Sequence, residues 1–194
     1  IARQLGGERL FKYVKKFGFG EKAGIDLPGE SRGQLRELEN WSKLSKLSIS
    51  FGHEIGVTPT QMITAISAIA NGGNLMHPHI TQKIIRNGTV MRVIKPVVVN
   101  RAISTKVSRQ MVDILKAVVQ KGTGTKAAVP GFEVAGKTGT AQKYDPQTQE
   151  YSKTAYLSSF IGFVPADAPR LAILVMIDEP KKVFWGGDVA APVF

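Results

Sequence analysis

The stretch GFEVAGKTGTAQ, residues 131–142, constrains the fold more than any other, because it can be built in two incompatible ways. Gly131 to Thr138 spells G-x-x-x-x-G-K-T, the pattern of a phosphate-binding loop between a buried strand and a helix. LAILVMIDE, residues 171–179, then ends an apolar run in Asp-Glu, as the magnesium-binding strand of an ATPase does. Yet Phe132-Glu133-Val134-Ala135 alternates apolar and polar side chains, as a half-buried strand does. The first solution demands alternating strands and helices with a parallel sheet, and the second does not.

The flanking sequence decides between them. A phosphate-binding loop wraps its ligand in backbone N–H groups presented by a glycine-rich turn and a helix N-terminus. QKGTGTKAAVP, ahead of Gly131, contains no hydrophobic strand. GTAQKYDPQTQEYSK, behind Thr138, contains Pro146 and no apolar helical face. Strand, flexible loop and helix are all missing, so the match is accidental. LAILVMID is then a buried sheet strand, and Asp178 stands where the chain leaves the sheet.

The remaining elements follow from periodicity and caps. Leu10, Phe11, Val14 and Phe17 fall at helical spacing in ERLFKYVKKF and stop at Gly18. FGFGEKAGIDLPGESRGQL is turn-rich, with Pro28-Gly29 as its turn signal. The clearest helix begins at Thr58: Thr58 caps it, Pro59 suits its first turn, and Gln61 stands in capping-box position. Met62, Ile63, Ile66, Ile69 and Ala70 are its expected apolar face, and the small residues Ala65, Ser67 and Ala68 permit close packing. ITQKIIRNGTVMRVI, residues 80–94, reads as two strands about Asn87-Gly88, the strongest short hairpin signal. Another helix is predicted from about Lys106 to Lys121, burying Val107, Met111, Ile114, Leu115, Val118 and Val119. Strands are predicted at 132–136, 155–164 and 170–177, with a last helix starting near Val189. Helices precede strands, which favours an antiparallel sheet covered by helices over a βαβ array.

Lys and Arg total 26 against 15 acidic residues, a net charge of +11. That excess suits a nucleic-acid binder or a neighbour of an anionic surface. The cations are scattered, however, and no zinc-finger, RRM or basic-region pattern accompanies them, so nucleic acid is not expected as a partner. There is no cysteine, which excludes disulfides and thiolate metal sites. His77-Pro-His79 lacks a third metal ligand, and His53-Glu54 has Val57 where a zincin's second histidine belongs. No metal and no cofactor are expected. Asp26 and Glu54 read as loop-fixing carboxylates making turn hydrogen bonds. No apolar stretch reaches the roughly 18 residues of a membrane helix, and no signal-peptide pattern opens the chain.

On a strand, Lys137-Thr138-Gly139-Thr140 has chemistry of its own. Lys137 supplies positive charge for an anionic carboxylate and for proton transfer nearby. The Thr138 and Thr140 hydroxyls can hydrogen-bond that carboxylate, and Gly139 lets a ligand backbone approach because it has no Cβ. The Thr140 N–H can stabilise a developing oxyanion.

K-T-G is also a motif of the penicillin-recognising enzymes, and its company raises it above chance. GFGEKAGIDLPGE, SFGHEIGVTPTQM, ANGG, VAGKTGTAQK, SSFIGFVPADAPRLAILVMIDEP and WGGDVAAPVF occur in this order. Together they resemble the transpeptidase domain of class B penicillin-binding proteins over nearly the whole chain. The resemblance implies the α/β (α+β) penicillin-recognising fold of serine transpeptidases and β-lactamases, an antiparallel sheet flanked by helices. It implies peptidoglycan D,D-transpeptidation through a serine acyl-enzyme, with β-lactam antibiotics as mimics of the D-Ala-D-Ala donor. Lys137 and Thr140 are then the catalytic candidates, and Thr138, Gly139, Thr140, Phe184 and Trp185 the substrate-binding ones. For Phe184-Trp185 an aromatic pair bordering the site and aromatics packed on the core stay equally open. Tyr156 and Ser158 to Phe160 are expected on the strand beside K-T-G as packing residues.

The family's nucleophile motif is absent. No serine is followed by lysine three residues on, nor by asparagine two residues on. The expectation is that residues 1–194 are the C-terminal portion of one transpeptidase domain. S-x-x-K, S-x-N, an N-terminal module and a membrane-anchoring helix are expected upstream. The expected location is the extracytoplasmic, periplasmic side of the bacterial cytoplasmic membrane. Expected partners are a stem peptide ending in D-Ala-D-Ala, the upstream part of the same protein, a membrane glycosyltransferase, and division or elongation proteins. Septal and lateral wall growth are both open. The alternatives are a non-catalytic scaffold of this fold, a β-lactamase or a P-loop ATPase.

Overall fold

The computed structural model describes residues 1–194. In chain order the elements are α1 (Ala2–Leu5), α2 (Gly7–Lys16), β1 (Gln34–Leu35), α3 (Ser45–Ser50), β2 (Ile55–Gly56), α4 (Pro59–Ala70) and β3 (Asn74–Met76). Then come β4 (Lys83–Arg86), β5 (Thr89–Val93), β6 (Val98–Arg101), α5 (Thr105–Lys121), β7 (Ala135–Asp145), β8 (Glu150–Val164), β9 (Leu171–Asp178) and α6 (Gly186–Val189). Every strand pairing is antiparallel, as the order of helices and strands predicts. The chain forms two compact units, residues 1–68 with 73–104, and residues 69–72 with 105–194.

The first unit is held by side chains that satisfy loop backbone. At α4 the capping box forms in both directions: Gln61 N–H donates to Thr58 Oγ1 at 3.1 Å, and Thr58 N–H donates to Gln61 Oε1 at 2.9 Å. The Gln61 amide then donates from Nε2 to the Glu21 and Arg32 carbonyls at 2.7 and 2.9 Å. Gln61 is buried for that reason, and with Thr64, Ala65 and Ala68 it makes a small, polar-edged helix face. The apolar face read from the sequence is therefore shifted: Ile66 is buried, while Met62, Ile63 and Ile69 are only half-buried. A buried amide with all its hydrogen bonds made occupies the position a hydrophobic count misses.

Asp26 does more than close a turn. Its carboxylate accepts the N–H groups of Ile80 and Thr81 at 2.7 and 2.9 Å, a tie across more than fifty residues of chain. Glu30 accepts N–H from Ala23 and Gly24, shaping the turn-rich loop. Glu54 accepts from the Ser45 hydroxyl at 2.7 Å and pairs with Arg36. The hairpin at Asn87-Gly88 is present, with both residues at positive φ, as a two-residue primed turn requires. His77 and His79 lie on the wall of a hollow of about 380 Å³ with Asp26, Arg92 and Lys95.

The second unit is a three-stranded meander, β7–β8–β9, with α5 packed on β7 and α6 on β8. Strand alternation puts Gly136, Thr138 and Thr140 of β7 on one face with Ser158, Phe160 and Gly162 of β8 and Ile173, Val175 and Ile177 of β9. Phe160 is completely buried at the centre of this face, in a core with Val119, Ala127, Val134, Ala190 and Ala191. On α5 the expected face is narrower than the sequence suggests. Leu115 and Val119 are buried, but Ile114 is 57% exposed and Val107 40% exposed. Ser108 is buried instead, its hydroxyl donating to the Ile69 carbonyl at 2.7 Å. The strand predicted at 132–136 is displaced: β7 begins only at Ala135, leaving Phe132, Glu133 and Val134 ahead of it, and runs on to Asp145; helix α6 is a single turn that starts at Gly186, before Val189.

Candidate functional site

Residues 131–145 settle the competing geometries. The segment from Gly131 enters β7 at Ala135, and Lys137 and Thr138 lie within that strand with no helix following. A backbone cradle for phosphate is therefore absent. Gly136 serves packing instead, because a Cβ there would run into the ring of Phe160.

β8 pairs with both β7 and β9, so β7 keeps one edge open within its sheet. Lys137 stands on the face opposite Thr138, but its long side chain turns round this edge. Its amine lies 2.9 Å from the Thr138 carbonyl oxygen and 3.4 Å from the Thr138 hydroxyl. No carboxylate pairs with it. The Thr138 carbonyl thus faces the open edge. A residue's N–H and C=O point to the same side of a strand and alternate residues share that side. The Thr140 N–H therefore points out of the same edge, beside the Lys137 amine.

The hydroxyls of Thr138 and Thr140 lie on the other flank of this edge and line a cleft of about 350 Å³ with Thr123, Lys126, Trp185 and Gly187. Thr138 Oγ1 shares a hydrogen bond of 2.7 Å with Thr123 Oγ1. Thr140 Oγ1 accepts the Gly186 N–H at 2.9 Å, which leaves its own hydroxyl proton free to donate. Lys126 Nζ and Asp188 Oδ1 pair across the cleft at 2.9 Å. The result is an amine, two hydroxyls and a strand N–H gathered at one edge, an arrangement suited to holding a carboxylate and an oxyanion.

The wall carrying Trp185 is fixed by close backbone approach. A Cβ at Gly186 would collide with the Gly139 and Ser159 carbonyls, and one at Gly187 with the Thr123 carbonyl, so only glycine lets the segment lie this low. Buried Ser158 donates its hydroxyl to the Phe184 carbonyl. The two aromatics divide their work. Phe184 stacks on Tyr156 with ring centroids 4.1 Å apart and lies outside the cleft, whereas Trp185 is 58% exposed and lines it. Sequence reading places Lys137, Thr138, Gly139 and Thr140 on a site-facing strand, and the structure brings the amine, both hydroxyls and Trp185 together there. Thr123 joins the site without having been a candidate, while Gly186 and Gly187, which sequence reading placed beside the Phe184-Trp185 pair without a role, fix the wall by their lack of side chains. The signal for Thr123 was its Gly122-Thr123-Gly124 setting, where Gly124 abuts Phe160 and the loop N–H groups return to the Val118 carbonyl.

Two loop carboxylates of the first unit are held below their ordinary range. The Thr81 hydroxyl, with the Ile80 and Thr81 N–H groups, holds Asp26 far below the usual carboxylate value. The Ser45 hydroxyl is the largest cause of the lowering at Glu54. Neither belongs to the cleft.

Known proteins share the sequence family and the fold of this chain. The model of the penicillin binding protein transpeptidase domain matches residues 1–194. Stage V sporulation protein D of Bacillus subtilis (strain 168) is 44% identical over 196 residues, covering 100% of this chain and 30% of that protein. Peptidoglycan D,D-transpeptidase FtsI of Buchnera aphidicola is 32% identical over 197 residues, covering 100% of this chain and 33% of that protein. The crystal structure of penicillin binding protein 3 from Mycobacterium tuberculosis, complexed with aztreonam, superposes with a TM-score of 0.90 at 34% identity. It covers 99% of this chain and 45% of that one. The chain spans about a third of the length of these curated relatives. With the family model matched from end to end and the mixed α/β fold shared, the chain belongs to the penicillin binding protein transpeptidase domain family.

Proposed function

We propose that this chain supplies the K-T-G wall of a peptidoglycan D,D-transpeptidase active site, and that the nucleophilic serine lies outside these 194 residues. One observation carries the reading: the open edge of β7 presents the Lys137 amine, the Thr138 and Thr140 hydroxyls and the Thr140 N–H side by side. A D-Ala-D-Ala stem peptide fits that set. Its terminal carboxylate is taken by the two hydroxyls and the amine's charge, and its scissile carbonyl oxygen is directed to the Thr140 N–H. Gly139 answers to packing within the sheet, because a Cβ there would run into the Ser159 hydroxyl on β8. Trp185 forms the apolar flank.

In the reaction a serine Oγ attacks the carbonyl of the penultimate D-alanine. The C–N bond to the terminal D-alanine breaks, the departing amine takes a proton, and an ester remains on the serine. An amine from a neighbouring strand then attacks the ester, the serine regains its proton, and a new amide joins the strands. The Thr140 N–H stabilises the oxyanion of both steps, and Lys137 keeps the proton path electropositive. β-Lactams, which relatives of this family bind in solved structures, enter the same edge as donor mimics. Such chemistry belongs outside the cytoplasmic membrane. No helix of this chain is long and apolar enough to cross one. A membrane glycosyltransferase and proteins of division or elongation are the partners this role calls for.

Labelling by a fluorescent penicillin tests the proposal. The full-length protein is expected to be labelled and the Lys137→Ala variant to lose label or acquire it far more slowly. Labelling of the 194-residue chain by itself, or undiminished labelling of the variant, contradicts it. No labelling of the full-length protein hands the fold to the scaffold reading.

A further inference from the structure

The β4–β5 hairpin is the part of the molecule that the proposed chemistry leaves unused. It is a two-stranded sheet with no third strand on either edge, and all nine of its strand residues are exposed. Ile84, Ile85, Val90, Met91 and Val93 keep 48–62% of their surface in water, an apolar cluster in one small ribbon. Its charge has a single sign. From Ile55 to Val112 the sequence contains no aspartate or glutamate, while Lys83, Arg86, Arg92 and Lys95 stand on or beside the hairpin. None of these four cations forms an ion pair.

The two edges differ. Ile84 pairs with Arg92 and Ile85 with Val90, so Met91 is an extra residue that bulges β5 and spoils its edge for regular pairing. β4 is regular. Its edge carries Lys83 and Ile85 toward one face and Ile84 and Arg86 toward the other. We infer that the β4 edge is a docking site for an acidic, extended segment of a partner protein, which adds as a third strand. Main-chain hydrogen bonds satisfy the open edge, carboxylates stand opposite Lys83 and Arg86, and β-branched residues cover Ile84 and Ile85. An anionic lipid surface matches the charge but supplies no strand of N–H and C=O groups, and so leaves the edge unpaired.

The probe is a fluorescein-labelled twelve-residue peptide of three Glu-Val-Val-Glu repeats, which sets carboxylates opposite Lys83 and Arg86 and valines over Ile84 and Ile85, titrated into the full-length protein, with a peptide of Lys-Val-Val-Lys repeats as counterpart. The glutamate peptide is expected to bind saturably, at least tenfold more weakly to a Lys83→Glu/Arg86→Glu variant, and not at all when its central amides are N-methylated. The variant is expected to exchange preference for the lysine peptide. Both positions are exposed and far in sequence from K-T-G, so fluorescent-penicillin labelling of the variant reports that it is folded. The inference is overturned if the two peptides bind alike, if the variant or N-methylation changes nothing, or if only phosphatidylglycerol vesicles bind. Absence of binding also overturns it, and then the cations act as guards against edge pairing.

Discussion

Gly136 is where the strand reading and the phosphate-loop reading of residues 131–138 diverge most sharply in stability. Its backbone is not left-handed, so alanine brings no conformational penalty of that kind. The penalty comes from space. A Cβ at 136 would lie 2.8 Å from Phe160 Cε1 and 2.9 Å from the Ile161 carbonyl oxygen, with Phe160 Cζ nearer still. The ring cannot step aside. Phe194 meets it edge-on at 4.9 Å between centroids, and a side chain at Gly124 would find it only 3.0 Å away. Overpacking of this kind costs about 1–3 kcal/mol, and Gly136→Ala is expected in the upper half of that range because one clash is with backbone. Phe160→Leu should cost about 1–2 kcal/mol from lost burial and the void it leaves. The double variant should then be more stable than the sum of the two losses by about 1 kcal/mol, since the new methyl occupies part of that void. Urea unfolding with an unchanged m-value reads all three quantities. A Gly136→Ala loss under about 0.5 kcal/mol, or strict additivity, would refute the placement of Phe160 over Gly136.

Further outcomes are expected elsewhere in the molecule. Thr123→Val removes the hydroxyl that holds Thr138 and should slow penicillin acylation of the full-length protein about three- to tenfold, while Thr123→Ser restores it; equal rates for the two variants would remove Thr123 from the site. Gln61→Ala leaves two loop carbonyls and a cap unsatisfied and should cost about 2–4 kcal/mol in unfolding measurements, against about 1 for Thr58→Ala. Asp26 is held below its unfolded value, so its contribution to stability is complete above that value and is lost as pH falls through the folded one. The stability gap between the natural protein and Asp26→Asn should therefore be constant near neutrality and narrow below about pH 4; a gap that widens on acidification would reverse the assignment.

What the sequence makes legible follows the range of the interactions involved. Helices α4 and α5 and the Asn87-Gly88 hairpin are written in residues three or four apart or in adjacent turn residues, and they appear where expected. The sheet register is likewise legible around Phe160, because alternation fixes which side chains share a face. Less legible is what covers each face. Gln61 is polar yet buried, because its partners at Glu21 and Arg32 lie far away in sequence. Ile114 is apolar yet exposed, because the buried side of α5 runs through Ser108, Leu115 and Val119. In the site, the K-T-G residues were visible because their chemistry is local to one strand. Thr123 and Gly186 were not, since their roles exist only once α5 and α6 bring two loops against β7. Phe184 and Trp185 could not be separated until the Tyr156 stack and the Ser158 hydrogen bond turned one inward and left the other over the cleft.

In the proposed function this chain forms one wall of an acyl-transfer site whose nucleophile is elsewhere in the protein. Mapping the acylated residue tests it most directly: ampicillin-treated full-length protein is digested and the penicilloyl adduct located by mass spectrometry. A single adduct is expected on a serine outside residues 1–194, in an S-x-x-K sequence, with its yield sharply reduced in Lys137→Ala. An adduct on any serine or threonine within this chain would contradict it.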